Sequence, residues 1–168
     1  MPTAPIFVVQ LHDARRLHYD IRLEVDGVLK SWAVPRGPSL DPSVKRLAVP
    51  TDDHSIEYAG YEGVIADSKY GSGAVIVWDA GTYTNLTLDK SRRPIEPAQA
   101  IERGHLKFRL HGTKLTGAWA FTRTERDWLL VKVRDAAADA DVDLTAEEPQ
   151  SVLSGLTIEE MAATRPSA

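Results

Sequence analysis

Residues Leu17–Ala33, LHYDIRLEVDGVLKSWA, decide the fold class. From Leu17 to Val25 the residues alternate strictly. Leu17, Tyr19, Ile21, Leu23 and Val25 share one face, and His18, Asp20, Arg22 and Glu24 share the other, the period-two pattern of a strand with one face on a core. Asp26-Gly27 then supplies a two-residue turn whose residues tolerate positive φ, and Val28–Ala33 resumes as the return strand of a hairpin.

Working outward, Ile6–Gln10 reads as a short strand before this hairpin, and the Pro/Gly-rich VPRGPSLDP as a loop after it, ending near a strand at Arg46–Val49. Further strands are predicted at Gly73–Trp78, Thr82–Leu86, His105–Leu110, Leu115–Thr122 and Trp128–Val133. Pro97–Arg103, closed by Gly104, is predicted as a short helix. This is a mostly β chain, and the expected architecture is a small antiparallel β-barrel with a few short helices over residues 1–134. Residues 135–150, DAAADADVDLTAEEPQ, are acidic and poor in large apolar groups and read as a flexible linker. Thr157–Ala163 reads as a short terminal helix with Thr157 as cap and Glu160 three residues on.

Composition narrows the function classes. Of the 168 residues none is cysteine, which removes disulfides, thiolate nucleophiles and thiolate metal ligands, and fits a cytoplasmic address. There is no apolar run of membrane-spanning length, and the first residues do not read as a secretory signal. The net charge of −4 is unevenly placed: residues 1–134 carry 19 Lys/Arg against 16 Asp/Glu, whereas residues 135–168 carry Arg165 against eight acids. A mildly basic body suits contact with a few phosphates rather than wrapping of a long duplex.

The chemistry concentrates in His12–Arg22, HDARRLHYDIR. His18 and Asp20 point the same way from one strand, Arg22 is next in the row, and His12 lies one short loop earlier. Two imidazoles and a carboxylate suit a divalent ion of intermediate hardness such as manganese, zinc or iron(II). An arginine beside them can hold phosphate oxygens in its planar fork. His54, in TDDHSIEYA, is a candidate to bind the phosphate or protonate a leaving oxygen. The same polar face also describes a hairpin strand turned to solvent, and Arg36, Arg46 and Tyr58 are equally readable as solvated or half-buried side chains. Tyr70-Gly71-Ser72-Gly73 reads as a hairpin turn more readily than as a phosphate cradle. His105 and His111 read as structural, and Trp32, Trp78, Trp119 and Trp128 as core. A non-haem iron oxygenase would use the same two-histidine, one-carboxylate set, and a non-catalytic docking module would need none of it.

FVVQLHDARRLHYDIRLEVDGVLKSWAVPRGPSLDP, KRLAVPTDDHSIEYAGYEG and YGSGAVIVWDAGTY, followed by GAWAFTR and WLLVKVRD, closely resemble the 3′-phosphoesterase domain of bacterial ligase D over residues 6–135. The resemblance implies a manganese-dependent site on a small barrel, acting on primer-template DNA ends in end-joining repair. Two reactions are implied: removal of a 3′-terminal ribonucleoside, then of the remaining 3′-phosphate. By motif it makes His12, His18 and Asp20 the metal ligands and sets Arg22, His54 and Tyr58 around the phosphate. Gln10, Arg36 and Arg46 match supporting positions. DNA ligase and Ku are the implied partners. SVLSGLTIEEMAA, near the end, resembles the segment that leads toward the ligase domain in fused proteins.

Overall fold

The Asp26-Gly27 turn adopts positive φ at both residues, 50° and 82°, and joins β2 (Leu17–Val25) to β3 (Val28–Val34) in the expected hairpin. A computed structural model describes residues 4–68 and 71–164. Around this hairpin stand β1 (Ile6–Asp13), β4 (Arg46–His54), β5 (Gly63–Ser68), β6 (Gly71–Asn85), β7 (His105–Gly112), β8 (Thr116–Arg123) and β9 (Trp128–Lys132). Every pairing is antiparallel. Eight strands run in the order β1-β2-β3-β4-β9-β8-β7-β6, and β6 returns to β1 to close the barrel; β5 pairs with the first part of β6 outside that ring. The barrel is therefore as the sequence predicts.

Several boundaries differ. The strands expected at Gly73–Trp78 and Thr82–Leu86 are one continuous β6, which bends at a bulge opposite Val9 and Gln10 and so serves β5, β1 and β7 in turn. β4 runs on to His54 because β3 pairs with it as far as Leu29 opposite His54. β5 has no counterpart in the sequence reading. β1 continues past Gln10 to Asp13, so His12 lies on it, one short loop before β2 and paired with His18. Lys69 and Tyr70 lie outside the described residues, so the Tyr70-Gly71-Ser72-Gly73 reading meets the structure only from Gly71, where β6 begins.

The interior is filled by Phe7, Val9 and Leu11 of β1, Tyr19, Ile21 and Leu23 of β2, and all four tryptophans. Trp128, Trp32, Phe121 and Phe108 form a chain of ring contacts across it, with centroids 5.7, 4.2 and 5.5 Å apart. Helix α1 (Pro97–Arg103) closes one end with Ala100 and stops at Gly104, whose φ of 90° admits glycine readily.

At the other end residues 135–164 pack against the barrel, over the stretch read from sequence as a linker and terminal helix. Asp135 accepts Lys132 Nζ at 2.7 Å and the Ala118 amide at 2.8 Å. Asp143 caps α2 (Leu144–Glu147), and Glu148 O accepts the Trp78 indole at 2.7 Å. Helix α3 (Ile158–Ala162) has the expected Thr157/Glu160 capping box and buries Ile158 and Met161 in the core. Four of the acids that suggested disorder are spent on local amides, those of Asp135, Asp139, Asp143 and Glu147, and Asp135 also holds the buried Lys132.

Candidate metal centre

Antiparallel register does the assembling. β1 and β2 pair His12 with His18 and Gln10 with Asp20, while β2 and β3 pair Arg22 with Ser31. Because the core takes the odd-numbered residues of both β1 and β2, Gln10, His12, His18, Asp20 and Arg22 project from the outer face. That face is not open to water. The 3₁₀ turn Ile56–Gly60 crosses it, pinned by Gln10 Nε2, which donates to Tyr58 O at 2.8 Å and Tyr61 O at 3.2 Å. Gln10 is fully buried, and His12, Asp20 and Arg22 are 7%, 6% and 3% exposed, so a row that alternation alone would turn to solvent is enclosed.

His12, His18 and Asp20 each offer a ligand atom within 4.8 Å of the others, a group that can hold a metal ion. Asp20 Oδ2 lies 3.1 Å from His18 Nε2 and 3.9 Å from His12 Nδ1. His18 Nδ1 lies 2.9 Å from Arg16 O. A carboxylate and a carbonyl only accept, so both bonds together require both ring nitrogens to donate, which is the imidazolium form. The pKa agrees. Burial opposes the charge, but the Asp20 hydrogen bond and charge and the Arg16 carbonyl outweigh it, and His18 titrates above its usual value. The donor set, two imidazoles and one carboxylate, fits a divalent metal of intermediate hardness.

Arg22 is held on every side. Its Nε donates to Gln10 Oε1 at 2.7 Å, Nη1 to Ser31 Oγ at 2.9 Å, and Nη2 to Asp20 Oδ2 at 3.3 Å; Nη1 also lies 3.1 Å from His54 Nδ1. Its guanidinium carbon sits 5.2 Å from the centroid of Tyr58, whose ring lies 4.9 Å from that of His54 and 5.2 Å from that of Tyr61. Burial, then the Arg22 charge, lowers the His54 pKa, and burial raises that of Tyr58. At neutral pH His54 is an uncharged ring and Tyr58 an intact phenol. Together His12, Ala14, His18, Asp20, Arg22, Thr51, His54 and Tyr58 line an open cleft of about 200 Å³.

The sequence-predicted residues thus divide. His12, His18, Asp20, Arg22, His54 and Tyr58 meet in this cleft, with Gln10 beneath it. Arg36 and Arg46 instead line a second cleft with Pro35, Lys45 and Leu47. Sequence reasoning missed Ser31, which braces Arg22 across the β2–β3 hairpin; the Asp26-Gly27 register, counted back from the turn, would have found it.

Fold and cleft define a class: a small β-barrel protein with a metal-competent, arginine-backed site on its outer wall. The family model for the DNA ligase D 3′-phosphoesterase domain matches residues 10–123, and the chain belongs to that family. It is 50% identical over 159 residues to the multifunctional non-homologous end joining protein LigD of Pseudomonas aeruginosa, covering 90% of this chain and 18% of that protein. It is 45% identical over 130 residues to the multifunctional non-homologous end joining DNA repair protein LigD of Mycobacterium tuberculosis, covering 77% of this chain and 16% of that protein. To the LigD protein of Mycolicibacterium smegmatis it is 43% identical over 131 residues, covering 77% and 17%. The chain therefore spans less than a fifth of the length of these relatives. Among the described residues no helix is long and apolar enough to cross a membrane.

Proposed function

We propose that the protein is a manganese-dependent phosphoesterase that trims DNA 3′ ends, removing a 3′-phosphate, and a 3′-terminal ribonucleoside before it, to leave a hydroxyl for end joining. The observation that carries the reading is Arg22: a buried guanidinium, fixed by Gln10, Ser31 and Asp20, that lines the same cleft as a two-histidine, one-carboxylate set. Membership of the 3′-phosphoesterase family and likeness to end-joining proteins support it.

In this reading His12, His18 and Asp20 hold the metal, which when bound would neutralise and polarise a phosphoryl group. Arg22 offers its charge to the same oxygens without having to be ordered first, since the site already orders it. His54, uncharged at neutral pH, acts as a hydrogen-bond donor to the phosphate through Nε2 rather than as a strong acid, and the Tyr58 hydroxyl donates beside it. Gln10 holds Arg22 to the covering turn. Arg36 and Arg46, in the second cleft, grip the DNA backbone. Primer-template 3′ ends are the substrates, and a DNA ligase and Ku are the working partners.

The test uses manganese, a primer-template ending in a 3′-phosphate, another ending in one ribonucleotide, and His18→Ala alongside. Phosphate release from the first substrate, lost in the variant, is expected, as is shortening of the second. Intact substrates with protein that still binds manganese would defeat the reading.

A further inference from the structure

The tip of the β1–β2 hairpin has no part in the function proposed above. With Asp13 paired to Leu17, only Ala14, Arg15 and Arg16 lie between the strands. None of these is a residue that hairpin turns favour for its own conformation. Ala14 lines the cleft, while Arg15, Arg16 and Leu17 are exposed, Leu17 by 47%. Among the described residues neither arginine forms an ion pair. Side chains alternate along a strand, so one face of the ribbon's end presents His12 and His18 and the other presents Leu17, with the two arginines at the turn between. The tip is also tied to the site, because the Arg16 carbonyl takes the His18 Nδ1 hydrogen bond.

We propose that this tip reads the end of a DNA duplex: Arg15 and Arg16 contact backbone phosphates, and Leu17 abuts the terminal base pair, while the 3′ terminus lies at the His12–His18–Asp20 face. The inference rests on the DNA 3′-end reading and adds the element that selects duplex ends. A duplex end exposes a flat apolar base pair flanked by two phosphate chains, which matches one large apolar side chain beside two exposed cations. Single strands are usually gripped by aromatic platforms, and the tip carries none.

The test is fluorescence anisotropy of a labelled duplex with a recessed 3′-hydroxyl and of the same single strand, across a range of salt, so that no hydrolysis is needed. Arg15→Ala/Arg16→Ala is expected to raise the duplex Kd by about tenfold at 0.1 M salt and to lower the salt slope by about 1.8, the value for two phosphate contacts. Leu17→Ala is expected to narrow the preference for duplex over single strand and leave the slope alone. Manganese affinity should hold in both, since Arg16 touches His18 through its backbone. Equal Kd and slope for the double variant, or a wild type that binds single strands as well as duplex or binds neither, overturns the proposal. A wild type that binds duplex ends through the tip yet releases no phosphate from a 3′-phosphorylated primer supports the tip contact and defeats the phosphoesterase reading alone.

Discussion

Arg22 Nη1 lies 3.1 Å from Nδ1 of His54, and the carbonyl of Asp52 approaches that same nitrogen to 3.0 Å. A guanidinium N–H can only donate and a carbonyl can only accept, so Nδ1 satisfies one of them at a time. With burial and the Arg22 charge both disfavouring the imidazolium, the ring is neutral and chooses between two tautomers. Acceptance from Arg22 places the remaining proton on Nε2.

Removing Arg22 should therefore be felt at His54. Arg22→Ala is expected to raise the His54 pKa toward its ordinary value, because one of the two influences that lower it is gone, and to turn Nδ1 toward Asp52 O. Titration of the His54 ring by NMR checks this, and an unmoved titration would show that the 3.1 Å approach carries no charge coupling. The same variant leaves Gln10 Oε1, Ser31 and Asp20 without their shared partner. Phosphate release should fall about 10²–10³-fold, the usual cost of one preorganised charge-stabilising donor.

A proton on His18 would compete with a metal for the same nitrogen. Its pKa lies above 6.5 when folded, so the ion pair with Asp20 stabilises the metal-free protein fully below 6.5 and is lost as pH rises through the folded value. A metal needs that nitrogen deprotonated. Manganese affinity should accordingly climb with pH through a window that begins above 6.5, while the contribution of His18 to metal-free stability moves the opposite way. Calorimetric titration with Mn²⁺ at several pH values, paired with thermal unfolding of metal-free wild type and His18→Ala, would reveal both trends. Affinity that does not change between pH 6 and 8 would mean His18 is not a ligand.

How much of this was legible depends on which interactions are local. The β2–β3 hairpin follows from alternation and the Asp26-Gly27 turn, and α1 from its proline start and glycine stop, all of them signals within a few residues. His18, Asp20 and Arg22 could be read as one row because a single strand sets their spacing. Tyr58 and Gln10 could not, because they meet through Gln10 Nε2 and Tyr58 O, 48 positions apart, and nothing near either residue encodes that contact. The enclosure of the row was hidden for the same reason: it comes from a turn folded back across the outer face. The contacts of residues 135–150 were not legible because composition counts charges but cannot see that Asp135 faces a buried Lys132.

Gly73 tests whether close packing of β1 on β6 sets the site. Its φ is 98°, and a Cβ there would collide with the carbonyl of Asp13, one residue beyond His12. The obstacle is main chain, so β1 itself must move. Gly73→Ala is expected to weaken manganese binding by about 10–100-fold, the range seen when groups that orient ligands are disturbed, with a smaller loss of folding stability. A structure of the variant should show the His12–His18 pair displaced. Unchanged manganese affinity would mean the ligand pair tolerates movement of its strand.

The segment after β9 should behave as part of the barrel and not as an appendage. Ile158 and Met161 are 7% and 6% exposed and belong to the same cluster as Leu11, Tyr19 and Trp78. Glu148 O accepts the Trp78 indole, Val152 N donates to Val77 O at 2.9 Å, and Ser151 bonds Glu62, which also receives the Val77 amide. Truncating a buried methionine or isoleucine to alanine removes about 2–5 kcal/mol when the cavity cannot collapse. Met161→Ala and Ile158→Ala should both lose stability within this range. Urea unfolding of Met161→Ala and Ile158→Ala measures the loss, with Glu159→Ala, exposed on the same helix, as the comparison expected to change by less than about 0.5 kcal/mol. Because Tyr19 sits between His18 and Asp20 and its ring faces this segment, the core variants should also weaken manganese binding where the surface variant does not. Equal stability in all three would show that the barrel closes without help from α3.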